Sequence, residues 1–164
     1  MNGRLILMCG LPGSGKSYFC KHNIKGDFLY VSRDEIRFAL LGENDEYFSK
    51  EKLVFRIFVE KIAAGLSAGK DVYADATHLS PASRAKLLNC IDDVKEVNVI
   101  YFDIPMWLIL RQNRQRSGRA YVPEEQIEKM SASYQPPQKS EGFAHIWKVT
   151  RDRLTNVNKV EEVK

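Results

Sequence analysis

The 164-residue chain contains no apolar run approaching the roughly 20 residues a membrane-spanning helix requires, so no membrane partner is expected. Cysteine is scarce: Cys9, Cys20 and Cys90 are odd in number, and no pair has metal-ligand spacing. That pattern argues against a disulfide framework or zinc centre and for thiols buried inside elements in a reducing cytoplasm. The first apolar run starts at residue 4, leaving no room for a leader peptide, which also points to a cytoplasmic location. Internal repeats and low-complexity linkers are missing too, which leaves a single domain. Neither sign of charge dominates. Lys and Arg number 25 against 21 Asp and Glu, and the net charge of +4 suits an anionic substrate without by itself indicating nucleic acid.

What the chain does have is alternation. Short β-rich runs fall at 4–9, 28–32, 71–75, 97–103 and 145–150. Helix-length segments lie between them at 16–24, 34–41, 48–68, 81–92, 105–116 and 123–134. Within 48–68, Leu53, Ile57, Phe58, Ile62 and Leu66 recur at the helical period and define one buried face. Gly69 and Lys70 supply a stop, while Ser80-Pro81, Pro105 and Pro123 mark helix starts. Strands alternating with helices imply a parallel sheet covered on both faces. Residues 1–150 are expected to form this α/β domain, and the polar stretch 151–164 a peripheral tail.

Gly10-Leu11-Pro12-Gly13-Ser14-Gly15-Lys16-Ser17 fits G-x-x-x-x-G-K-[ST], a phosphate-binding loop, and lies between an apolar strand and a helix as that motif demands. The glycines let successive N–H groups converge on one anion, aided by the positive end of the following helix. Gly13, Ser14 and Gly15 would then cradle the phosphates of ATP, Lys16 would reach the β- and γ-phosphates, and the Ser17 hydroxyl would ligate Mg²⁺.

Three further constellations carry chemistry. Ser32-Arg33-Asp34-Glu35-Ile36-Arg37 follows the second strand, at the sheet edge where ligands gather. Asp34 there suits a general base for phosphoryl transfer, and Arg37, one helical turn on, suits an anionic group of the acceptor. The plainer alternative makes Asp34 a helix N-cap. Asp75, ending an apolar strand, resembles a Walker-B carboxylate serving Mg²⁺, with Thr77 and His78 at the mouth of the site as acceptor contacts. Arg111, Arg114, Arg116 and Arg119 fall within nine residues around a Ser-Gly break, as a closing lid requires. Arg116 is the first choice for the arginine that neutralises the transferring phosphoryl group, and Arg119 the second, as a nucleotide contact. The remaining polar and aromatic residues read as structural. Tyr134, Phe143 and Trp147 suit packing, His22 and His145 lack metal spacing, and Glu43, Asp45, Glu46 and Glu51 read as a solvated face.

Taken together, these four blocks resemble the kinase domain of phage-type polynucleotide 5′-hydroxyl kinases over roughly residues 4–150. The resemblance implies a P-loop kinase with a five-stranded parallel sheet in the order 2-3-1-4-5 and a lid at about 111–122. It implies ATP and Mg²⁺ at Lys16 and Ser17, Asp34 as base, Arg37 on the phosphate beside the acceptor hydroxyl, and Arg116 as lid arginine. The acceptor would be the 5′-hydroxyl of RNA or DNA, with a ligase or phosphatase partner encoded separately, since no Asp-x-Asp phosphatase motif occurs. His78 departs from the Asn common at that place in the family. A small-molecule hydroxyl as acceptor, or a regulatory module that binds nucleotide, are the alternative readings.

Overall fold

In a computed structural model describing residues 3–164, one sheet of six strands carries helices on both faces. The elements in chain order are β1 (Arg4–Cys9), α1 (Lys16–Asn23), β2 (Phe28–Ser32), α2 (Arg33–Leu40), α3 (Glu51–Ser67) and β3 (Asp71–Asp75). Then follow α4 (Pro81–Leu88), β4 (Glu96–Phe102), α5 (Met106–Arg114), α6 (Glu124–Ser133), β5 (Ile146–Arg151) and β6 (Asn158–Glu162). The spatial order is β2-β3-β1-β4-β5-β6. The first five strands are parallel and follow the expected order.

The sixth strand corrects the sequence reading. β6 pairs antiparallel with β5, from Trp147↔Glu162 to Arg151↔Asn158, inside the stretch expected to be a peripheral tail. Its Asn-Lys-Val-Glu-Glu sequence buries little, so no apolar run announces it; backbone pairing alone makes it a strand.

β1 shows why the sheet is covered on both sides. Leu5, Leu7 and Cys9 point into one core with Val54, Phe58, Ile62 and Leu66 of α3. Ile6 and Met8 point into the other with Phe19 of α1, Leu108 and Ile109 of α5 and Ile127 of α6. An apolar run without polar alternation is the signature of a strand buried on two faces. In α3 the buried stripe is Val54, Phe58, Ile62, Gly65 and Leu66, so the face is turned from the expected one, leaving Leu53 and Ile57 half-buried. Cys9 and Cys20 are buried, and burial pushes both thiols up to about 12. Cys90, expected inside an element, is instead exposed just beyond α4. Among the described residues no helix is long and apolar enough to cross a membrane.

Candidate active site

Parallel pairing brings the chemistry to one edge. Ser32 at the end of β2 is level with Asp75 at the end of β3, and Asp75 is level with Met8, two residues before the phosphate loop. The loop is tied there by a bond from the Gly10 N–H to the Thr77 carbonyl at 3.1 Å. Around this edge opens a cavity of about 870 Å³, with Lys16, Ser17, Asp34, Arg37, Asp75 and Arg116 in its walls.

The loop fits a phosphate. Gly13 and Gly15 have φ of 82° and 90°, a left-handed conformation that suits glycine, and a Cβ on Gly13 would lie 2.8 Å from the Ile109 carbonyl oxygen. The Lys16 ammonium donates to the carbonyls of Gly10 and Leu11 at 2.9 and 3.1 Å, folded over its own loop. The buried Ser14 hydroxyl has no hydrogen-bond partner among the described residues.

Ser17 and Asp75 lie in contact, the Ser17 hydroxyl donating to Asp75 Oδ2 at 3.0 Å. No group of three or more His, Cys, Asp or Glu residues suited to a metal occurs among the described residues. One carboxylate and one hydroxyl fit Mg²⁺, which takes few protein ligands and completes its shell with phosphate oxygens and water. Tyr30, which the motif reading passed over, joins this pair through its hydroxyl, 2.5 Å from the same Asp75 oxygen. Burial first, and the Asp75 charge second, push the Tyr30 hydroxyl above its ordinary range, so it remains a donor.

Asp34 is not the N-cap of α2. Ser32 caps it, accepting from the Glu35 N–H at 3.2 Å, which leaves the Asp34 carboxylate free to face the cavity, half-exposed. Arg37 lies on the same helix face; its Nη1 donates to Asp34 Oδ1. Arg37 also donates from Nε and Nη2 to Glu51 Oε2 at 3.2 and 2.8 Å, and Arg33 pairs with the other Glu51 oxygen. Burial alone would lower the Arg37 pKa, but the Glu51 hydrogen bond and the Tyr47 and Asp34 neighbours outweigh it and hold it above its usual value. Glu51 is therefore not part of a solvated face; it gathers two arginines of α2 from the first turn of α3. Tyr47 completes the group, donating to Asp34 and accepting from Arg37, each at 3.3 Å.

The four clustered arginines take different directions. Arg111 is exposed, and Arg114 pairs with Glu124 outside the cavity at 2.6 Å. Arg116 lines the cavity, and its buried Nη1 has no partner among the described residues, a donor suited to an anion. Arg119, expected as a nucleotide contact, instead donates to the carbonyls of Gly42, Glu43 and Asp45 at 2.6–3.2 Å, because its segment lies against the loop between α2 and α3. Asn113 ties the two ends of that segment together with two bonds to the Val122 backbone at 2.7 and 3.1 Å.

Thr77 lines the cavity, but His78 does not. Expected at the mouth, His78 is buried with φ 46°, its Nε2 3.3 Å from the Ala74 carbonyl and its ring 6.4 Å from Phe58. The left-handed turn rotates its side chain inward, so it is a core residue. Desolvation lowers its pKa to about 3 and keeps the ring neutral.

The comparisons concern the family and the fold. Residues 5–137, most of the chain, match the family described as an AAA domain (AAA_33), and the protein belongs to that family. A chain of the Pnkp1/Rnl/Hen1 RNA repair complex is similar over 80% of this chain and 44% of its own, with 22% identity and a TM-score of 0.67. A sugar kinase from Janibacter sp. HTCC2649 is 17% identical, covering 90% and 86%, with a TM-score of 0.59. Kti12 from Chaetomium thermophilum, in complex with ADP-AlF3, is 16% identical, covering 90% and 89%, with a TM-score of 0.63. At these identities the likeness is one of fold, that of P-loop kinases with a mixed six-stranded sheet. The chain spans less than half the length of the RNA-repair chain it matches.

Proposed function

We propose that this protein transfers the γ-phosphate of ATP to the 5′-hydroxyl of a polynucleotide end. The observation that carries the reading is the Asp34–Arg37 pair, which faces the phosphate loop across one cavity. Asp34 accepts the proton of the attacking hydroxyl, and Arg37 holds the phosphate next to it. Lys16 turns from its own loop carbonyls to the donor phosphates, and Arg116 brings its unpaired donor to the transferring group, where charge spreads in a loose transition state. Ser17 and Asp75 would hold Mg²⁺, which when bound would neutralise phosphate charge. Similarity to a chain of an RNA-repair assembly is what favours a polynucleotide acceptor, and its occurrence in a complex is consistent with a separately encoded partner.

The test is labelled ATP with 5′-hydroxyl RNA and DNA oligonucleotides. Wild type should label them, and Asp34→Ala should lose about 10²- to 10⁴-fold while still binding ATP. ATP hydrolysis without labelling of any end rejects the polynucleotide acceptor. A second reading, a small-molecule hydroxyl as acceptor, is favoured by the near full-length likeness to a sugar kinase. A panel of sugars in the same assay decides between the two.

A further inference from the structure

Four aromatic residues are among the exposed large hydrophobic side chains of the described chain: Tyr18, Phe48, Trp107 and Tyr121. Three of them, all but Trp107, line the same cavity as Asp34. Large apolar surface left in water beside a catalytic carboxylate marks a binding face.

Phe48 is the best placed of the three. Its ring is 63% exposed and rests edge-on against Tyr47, with centroids 4.7 Å apart and planes at 80°. Most of the ring stays in solvent. Tyr47 is itself fixed through its hydroxyl to Asp34 and Arg37, so the shelf is held by the residues that meet the acceptor. The Arg37 guanidinium lies 5.7 Å from the Phe48 centroid and 4.8 Å from that of Tyr47. Arg37 is thus the cation beside the ring, itself paired with Glu51 and Asp34 in the same cavity wall.

We infer that Phe48 is the stacking platform for the terminal nucleobase of a single-stranded 5′-hydroxyl acceptor. The inference rests on the polynucleotide reading above. In a nucleotide the base and the 5′-oxygen are separated by one sugar, so a hydroxyl at Asp34 with its neighbouring phosphate on Arg37 puts the base beside this ring. Stacking on an aromatic face tolerates any base, so the platform selects unpaired ends over base identity. Tyr18 presents a second exposed ring to the same cavity, its inner face already stacked on His22 at 3.9 Å.

The experiment uses the full chain and an oligonucleotide whose 5′-terminal base is 2-aminopurine, with a 5′-abasic oligonucleotide of the same length beside it. Wild type should quench 2-aminopurine fluorescence on binding, without ATP. Phe48→Leu should weaken that binding roughly 5- to 150-fold, the worth of one stacked base, and Phe48→Trp should retain it. The abasic acceptor should bind wild type and Phe48→Leu equally, and ATP binding should be unchanged in both variants. Equal binding and labelling of the base-bearing acceptor by wild type and Phe48→Leu overturns the stacking role while leaving the polynucleotide reading intact. Failure of wild type to bind or label any 5′-hydroxyl oligonucleotide, with sugars phosphorylated instead, removes both together.

Discussion

Arg37 and Glu51 form a two-point contact across the start of α3, Nη2 and Nε of the arginine both donating to Glu51 Oε2. Arg37 is 5% exposed, so the contact decides whether that cation has a counter-ion inside the protein. Glu51→Ala leaves it with the half-exposed Asp34 alone. A hydrogen bond to a charged group is worth about 1.5–3 kcal/mol, and the partial exposure of Glu51 places the loss at the lower end. Urea denaturation should show that drop, and the acceptor KM should rise more than the ATP KM. Unchanged values for both would show that Arg37 is positioned by Asp34 and Tyr47 alone.

Tyr30 predicts a metal phenotype. Its hydroxyl and that of Ser17 both donate to Asp75 Oδ2, so the carboxylate is oriented from two sides. Tyr30→Phe removes one of them and should raise the Mg²⁺ concentration needed for half-maximal activity several-fold. Isothermal titration of Mg²⁺ with ADP should show the same weakening, which distinguishes metal positioning from a general loss of activity.

His78 predicts how stability responds to acid. Its folded pKa of about 3 lies below the ordinary 6.5, so above pH 6.5 it is neutral in both states and contributes no pH dependence. Between pH 6.5 and about 3 the unfolded chain takes up a proton that the folded chain refuses, and stability falls as pH falls. The slope is at most about 1.4 kcal/mol per pH unit, or about 2 kcal/mol between pH 7.5 and 5. His78→Asn, which tolerates the positive φ, should flatten that part of the curve in denaturant titrations run at both pH values.

Gly65 predicts a packing cost. A Cβ there would lie 2.6 Å from Leu29 Cδ2 and 2.8 Å from Val72 Cγ2. Leu29 can turn aside, but Val72 is β-branched, fully buried and paired on both sides within the sheet. Gly65→Ala gains about 1 kcal/mol of helix propensity against about 1–3 kcal/mol of overpacking. A net destabilisation near 1 kcal/mol should appear in thermal or urea unfolding, and a stabilised variant would mean that α3 shifts outward to make room.

Five strands and the phosphate loop are legible because each rests on a local signal: buried β-rich runs, glycines at fixed spacing, prolines at helix starts; the strand order comes from the family resemblance alone. The pairing of Asp34 with Arg37 was legible for the same reason, being one helical turn apart. What escaped depended on contacts distant in sequence. Glu51 looked like one acid among several until α3 brought its first turn against α2. Tyr30 is an ordinary strand aromatic until β2 pairs with β3 beside Asp75. His78 was misplaced because a single residue with positive φ reverses which way a side chain points, and no spacing rule records that.

The antiparallel β6 has a consequence for association. A parallel sheet ending at β5 would offer a row of unsatisfied backbone groups to any passing strand, the usual route to edge-to-edge aggregation. β6 covers that row with a strand from the same chain, and its own outer rim carries Lys159, Glu161 and Glu162 in an exposed stretch. Charges of both signs along a short, solvated border make a poor template for another strand. The chain thus supplies its own gatekeeper at the sheet margin opposite β2.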